Sequence, residues 1–144
     1  MKKIVLLLSL ILLCGAGFSS ASAQAPAYLG EWKVNEVGVE QTIDGKTASQ
    51  KFKNTKSLNT FNEAPKKISI TSKKIIFEYQ DGRIKTADYK ADEKNINVEY
   101  PTHLESLGYK LIDSNKLELV SEVFYTKENS ETVRETYTYY ITKN

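Results

Sequence analysis

The chain has 144 residues, with 20 basic and 18 acidic side chains, one histidine and one cysteine. This near balance leaves no charge excess with which to neutralise a phosphate backbone, so nucleic acid is not an expected partner. A single Cys and a single His leave no disulfide framework and no His/Cys set for zinc.

Taken in chain order, the first element is a leader. Lys2 and Lys3 precede an apolar run from Ile4 to Leu13, and Ala21-Ser22-Ala23 offers a small-x-small cleavage site, so residues 1–23 read as a signal peptide. The run is half the length of about twenty residues that a spanning helix needs, so no membrane span is expected. Export to a periplasmic or extracellular compartment follows. Leu12-Leu13-Cys14-Gly15 loosely matches a lipid-attachment box, but bulky Leu13 stands where a small residue is usual, so lipid anchoring at Cys14 is the less favoured reading. Cleavage would remove Lys2, Lys3 and Cys14 and leave 18 basic against 18 acidic residues over 24–144. That length suits a single domain held by its hydrophobic core alone.

The mature segment opens with Tyr28-Leu29-Gly30-Glu31-Trp32-Lys33-Val34, a Gly-x-Trp at the start of a first strand. The stretch from Gln41 to Lys66 is polar, with one weak strand near Thr47–Phe52 and then a long loop ending at Pro65. From there the apolar pattern has a period of two: Ile68 and Ile70; Ile75, Phe77 and Tyr79; Ile96, Val98 and Tyr100; Tyr109 and Leu111. Leu117, Leu119, Val123 and Tyr125 form a longer strand with Ser121 as its one polar inward position, and Val133, Tyr137, Tyr139 and Ile141 form the last. Such alternation marks antiparallel strands with one buried and one solvated face. The runs are rich in Ile, Val, Tyr, Phe and Thr, as strands favour. Asp81-Gly82 is the best hairpin signal, and further turns fall at 72–73, 92–93, 113–115 and 127–130. His103 to Leu107 reads as one short turn after Pro101. The prediction is all-β: an antiparallel up-and-down barrel of about eight strands, which hides its own edges and leaves room for a side-chain core or one small ligand.

Gly30-x-Trp32 on the first strand, the long first loop and the hairpin-linked strands that follow resemble the lipocalin and lipocalin-like (calycin) proteins, in particular short secreted bacterial members. The resemblance implies an eight-stranded barrel plugged at one end by Gly30 and Trp32 and open at the other, with a cavity for a small apolar molecule. It also implies a basic residue over the Trp ring. Pairing of the last strand with the first is expected to set Tyr140 opposite Trp32 and Arg134 near Val37 and Gly38, which leaves Lys143 as the only basic residue close enough. No Thr-Asp-Tyr-type motif stands in a late loop and no C-terminal helix is predicted, departures that suit the reduced members better.

Candidate cavity residues are the inward set Phe77, Tyr79, Tyr100, Tyr109, Tyr125, Tyr137 and Tyr139, which could line a void or fill it. Glu135, expected across from Ser121, could orient a ligand's polar end or sit solvated at the mouth, since a buried unpaired charge is costly. No catalytic signature appears: His103 has no motif-borne nucleophile and no Gly-x-Ser-x-Gly is present, so neither an enzyme nor a cofactor or metal is expected. Two functions follow: an exported binder of a small, mostly apolar ligand, or a protein-interaction or inhibitor module with a solid core and binding loops.

Overall fold

Period-two alternation of Ile, Val, Tyr and Phe dictates strands, and strands are what the computed structural model contains over the residues it describes, 24–53 and 64–144. The expected leader with Cys14, and residues 54–63 of the expected long loop, lie outside them. The strands are β1 (Gly30–Ile43), β2 (Lys46–Phe52), β3 (Pro65–Ile70), β4 (Lys74–Tyr79), β5 (Ile84–Ala91), β6 (Asn95–Glu99), β7 (Leu104–Asp113), β8 (Lys116–Thr126) and β9 (Thr132–Lys143). From β3 onward each pairs antiparallel with the next, and β9 returns to β1. The result is the predicted up-and-down barrel, closed by eight strands, with β2 added as a hairpin on β1.

β1 is long enough to serve two neighbours along one edge. Gly30 to Lys33 pair with β3, whereas Val37 to Ile43 pair with β2, so β1 joins β3 at one end of the barrel only. A bulge between Val34 and Glu36 switches the inward face from Trp32 and Val34 to Val37, Val39 and Gln41. Asn35 Nδ2 donates to Thr142 Oγ1 at 2.9 Å and pins the extra residue. Without that shift the second half of β1 would turn its valines to solvent.

The β1–β9 register differs from the expected one by three to four residues. Lys143, not Tyr140, opposes Trp32, and Arg134 opposes Thr42 rather than Val37 or Gly38. Directly opposed residues share a face, and the expected register would have set inward Trp32 against outward Tyr140. The observed one matches Val34 with Ile141 and Val37 with Tyr139. In the β8–β9 ladder Glu135 opposes Val123 rather than the expected Ser121, which opposes Tyr137, an offset of two residues that keeps the same face. Residues 104–107 are also strand rather than a short turn. Tyr100 N donates to His103 O at 3.0 Å, so the reversal is complete before Leu104.

The core is concentrated in the half of the barrel that holds Trp32. Trp32, Ile68, Ile75, Ile96 and Leu119 are fully buried there, with Ile70, Leu117 and Ile141 nearly so. Each such side chain contributes about 1.5–3 kcal/mol by leaving water. Lys143 Nζ lies 5.3 Å above the Trp32 ring, and Trp32 Nε1 donates to Tyr28 O at 2.9 Å. The Tyr28 ring meets Tyr109 edge-on at 5.2 Å and Tyr89 at 6.3 Å. The hydroxyls of those two tyrosines donate to the carbonyls of Asp92 and Thr71 in the turns above. This end is shut by aromatic rings, and the polar tips of Trp32, Tyr89 and Tyr109 are satisfied by backbone.

Candidate functional site

The same strands behave differently at the other end. On β8 the inward positions are buried through Leu117, Leu119 and Ser121, then Val123 and Tyr125 are 43% and 39% exposed. The interior opens there into a cavity of about 650 Å³. Phe77 and Leu107 supply apolar wall, Tyr79, Tyr100, Tyr137 and Tyr139 supply rings and hydroxyls, and Ser121 lies among them. Lys85 and His103 also line it, and His103 stacks on Tyr100 with ring centres 4.8 Å apart.

The acidic lining follows from strand parity. Glu105 faces inward because Val98 opposes it on β6 and Leu107, two residues on, is buried in the interior. It is half-buried, and its Oε1 accepts from Ser121 Oγ at 2.8 Å. Tyr100 also donates to it: burial pushes the Tyr100 hydroxyl well above the ordinary tyrosine range, and the Glu105 charge and hydrogen bond add to that. Burial likewise raises Tyr139, with Glu105 the next largest cause and then Tyr79, Tyr137 and Tyr100. These groups therefore converge on one volume.

Glu135 sits nearer the mouth on β9 and is half-buried. Its Oε1 accepts from Gln41 Nε2 at 2.7 Å and from Tyr125 OH at 2.9 Å, and its Oε2 accepts from Tyr137 OH at 2.5 Å. The Tyr137 bond is the main reason its carboxyl lies below the ordinary value; burial opposes it, and the Gln41 and Tyr125 bonds reinforce it. A carboxylate held by several neutral donors is both ionised and fixed in direction.

Of the predicted cavity residues, the structure brings Phe77, Tyr79, Tyr100, Tyr137 and Tyr139 together around this volume. Tyr125 and Glu135 form a bonded pair at the rim beside it. Tyr109 lies at the opposite, Trp32 end, in the ring cluster with Tyr28. Gly30 and Trp32 lie at that end as well, Trp32 with no exposed surface. Glu105 is the residue that sequence reading passed over, and the signal that would have found it is its place two before Leu107 in the same inward alternation. Among the described residues no group of acidic, His or Cys side chains is arranged to hold a metal ion. Among them, too, no helix is long and apolar enough to cross a membrane.

No protein-family model and no curated protein matches the chain. Among solved structures, lobster apocrustacyanin A1 is similar, at 12% sequence identity and a TM-score of 0.41. The match covers 87% of this chain and 65% of that one, so the chain spans less than two thirds of that protein's length.

Proposed function

We propose that this is an exported, reduced lipocalin-like protein of one domain, residues 24–144, that binds a small, mostly apolar molecule inside its barrel. The observation that carries the reading is the cavity of about 650 Å³ in the open half. Its volume falls within the roughly 300–1,000 Å³ usual for small-molecule sites. Apolar walls with a few convergent polar groups are the lining such sites have. Each square ångström of apolar ligand surface removed from water contributes about 25 cal/mol before ordering costs. Phe77, Tyr79, Tyr100, Tyr137 and Tyr139 supply the contact area, and Glu105, Ser121 and Glu135 fix orientation. Gly30-x-Trp32 with Lys143 above the ring supports the lipocalin-like reading. We read the protein as a binder, with Glu105 and Glu135 held in fixed directions by hydroxyl and amide donors.

Native mass spectrometry of the protein purified from an exporting host, before and after extraction with organic solvent, tests this. A stoichiometric added mass that disappears on extraction is the expected result. A bare mass, together with no thermal shift from fatty acids, sterols, retinoids or small aromatic compounds, overturns the reading.

A further inference from the structure

The cavity is lined by one carboxylate, Glu105, and one lysine, Lys85, which do not form an ion pair with each other. All eight ion pairs of the described residues join other groups, and neither Glu105 nor Glu135 takes part in one. Among the described residues Glu105 is met by hydroxyls, from Ser121 and Tyr100. Cations stand near the opening on the β4–β5 hairpin, and Lys127 acts on Glu135 at the rim. Arg83 is paired with Asp81 and lies 4.9 Å over the Tyr79 ring, and exposed Lys85 lies 5.5 Å over the same ring. Among the described residues, the half-buried Glu105 carboxylate thus has no ion-pair partner and lies beside tyrosine rings.

Each kind of ligand head meets this lining differently. An anion brought beside Glu105 is repelled at short range in a low-dielectric space. A neutral apolar ligand strips water from the carboxylate and gives nothing back, which is costly. A cation supplies the missing counter-charge, and ring faces of Tyr79, Tyr100 and Tyr139 attract it through their quadrupoles. Burial first, and then the Glu105 charge, raises the hydroxyls of Tyr100 and Tyr139, which places both rings within reach of that charge.

We propose that the cavity takes an organic cation, an amine or guanidinium on an apolar body, with its charge against Glu105 among Tyr79, Tyr100 and Tyr139 and its body against Phe77 and Leu107. This rests on the reading of the cavity as a small-molecule site and names the class of molecule.

The test is calorimetric titration of the purified protein with three probes of one shape: phenethylamine, phenethyl alcohol and phenylpropionate. The amine should bind about tenfold or more tightly than either of the others, the scale of one charge-assisted contact plus ring faces. Glu105→Gln, which keeps shape and hydrogen bonding, should abolish that preference with its melting temperature held. The wild-type comparison of amine with alcohol needs no variant and stands even where Glu105→Gln fails to fold. Equal binding of the three, or tighter phenylpropionate binding that Lys85→Met removes, overturns the cation inference and leaves the small-molecule reading intact. An amine preference that survives in Glu105→Gln but disappears in Glu135→Gln overturns the assignment to Glu105. Binding of none of the probes at millimolar concentration overturns the inference. If no molecule co-purifies either, the small-molecule reading fails with it.

Discussion

The two ends of this barrel share eight strands and one inward alternation, yet one is a plug and the other a pocket. Both ends are rich in aromatic side chains with polar tips. At the plug those tips reach the chain itself: Trp32 donates to the Tyr28 carbonyl, Tyr89 to Thr71 and Tyr109 to Asp92. At the pocket they reach side chains, Tyr137 and Tyr125 donating to Glu135, and Tyr100 to Glu105. A ring tied to a turn carbonyl draws that turn across the barrel end. A ring tied to a carboxylate on a neighbouring strand stays against the wall and leaves the axis empty. What distinguishes filling from lining here is where the polar tip finds its partner.

The strongest way to break this contrast lies within one strand and one face. Leu119 has no exposed surface, whereas Val123, four residues along β8, is 43% exposed. Leu119→Ala should cost about 2–5 kcal/mol, the usual range for a cavity made in a packed core. Val123→Ala should stay within about 0.5 kcal/mol, as surface changes do. Urea unfolding of both variants checks this, and similar losses would mean that the open half is packed like the plug. Gly30→Ala comes next. Gly30 has φ of +139°, a region that side chains rarely adopt, and an added Cβ would lie 3.2 Å from Lys143 Cε. A loss of about 1–3 kcal/mol is expected, with binding at the far end unchanged.

Much of the barrel was legible because alternation survives whatever the partner. Ile75, Phe77 and Tyr79, or Leu117 and Leu119, declare a face without knowing which strand lies beside them. Depth along the barrel is different, since it depends on register, and the β1–β9 register shifts at a bulge beside Asn35, where the apolar set passes from Trp32 and Val34 to Val37 and Val39. That shift puts Arg134 opposite Thr42, and alternation alone marks Tyr109 as inward without saying which end it lies at. β5 was hard to see for another reason. Ala87 is its only buried side chain, so pairing with β4 and β6 holds it rather than its own apolar face. Glu105 was hidden by Pro101-Thr102-His103, which mimics the entry to a helical turn.

pH should separate the two ends with smaller effects. Glu135 at the mouth has its carboxyl held below the ordinary value of 4.5. Its contribution is therefore full above about that pH and is lost as pH falls through the lower folded value. Tyr89 at the plug has the opposite sign. Burial, then Tyr28, pushes its hydroxyl from 10.0 up to about 12, so its contribution is full below pH 10 and disappears as pH rises towards 12. Urea midpoints followed against pH should show Glu135→Gln with a shallower acid limb and an unchanged alkaline one. Tyr89→Phe should show the reverse. Acid and alkaline limbs that both variants leave as in the wild type would mean that neither network contributes to stability.

The smallest expected effect concerns Lys143, whose Nζ lies 5.3 Å above the Trp32 ring while the residue itself is exposed. Lys143→Met keeps an unbranched stem over the indole and removes only the charge. The expected loss is therefore the exposed cation–π share alone, about 0.5–1 kcal/mol. Lys143→Ala strips the stem as well and uncovers Trp32, so it should cost more than Lys143→Met, and the gap between them measures the stem's contribution. The shift in Trp32 fluorescence gives a second readout, because only the alanine variant admits water to the ring. Equal losses would assign the whole effect to charge, and the lysine would then cap the plug electrostatically and not by covering it. In either case ligand binding should be untouched, since the charge lies at the end of the barrel away from Glu105 and Glu135.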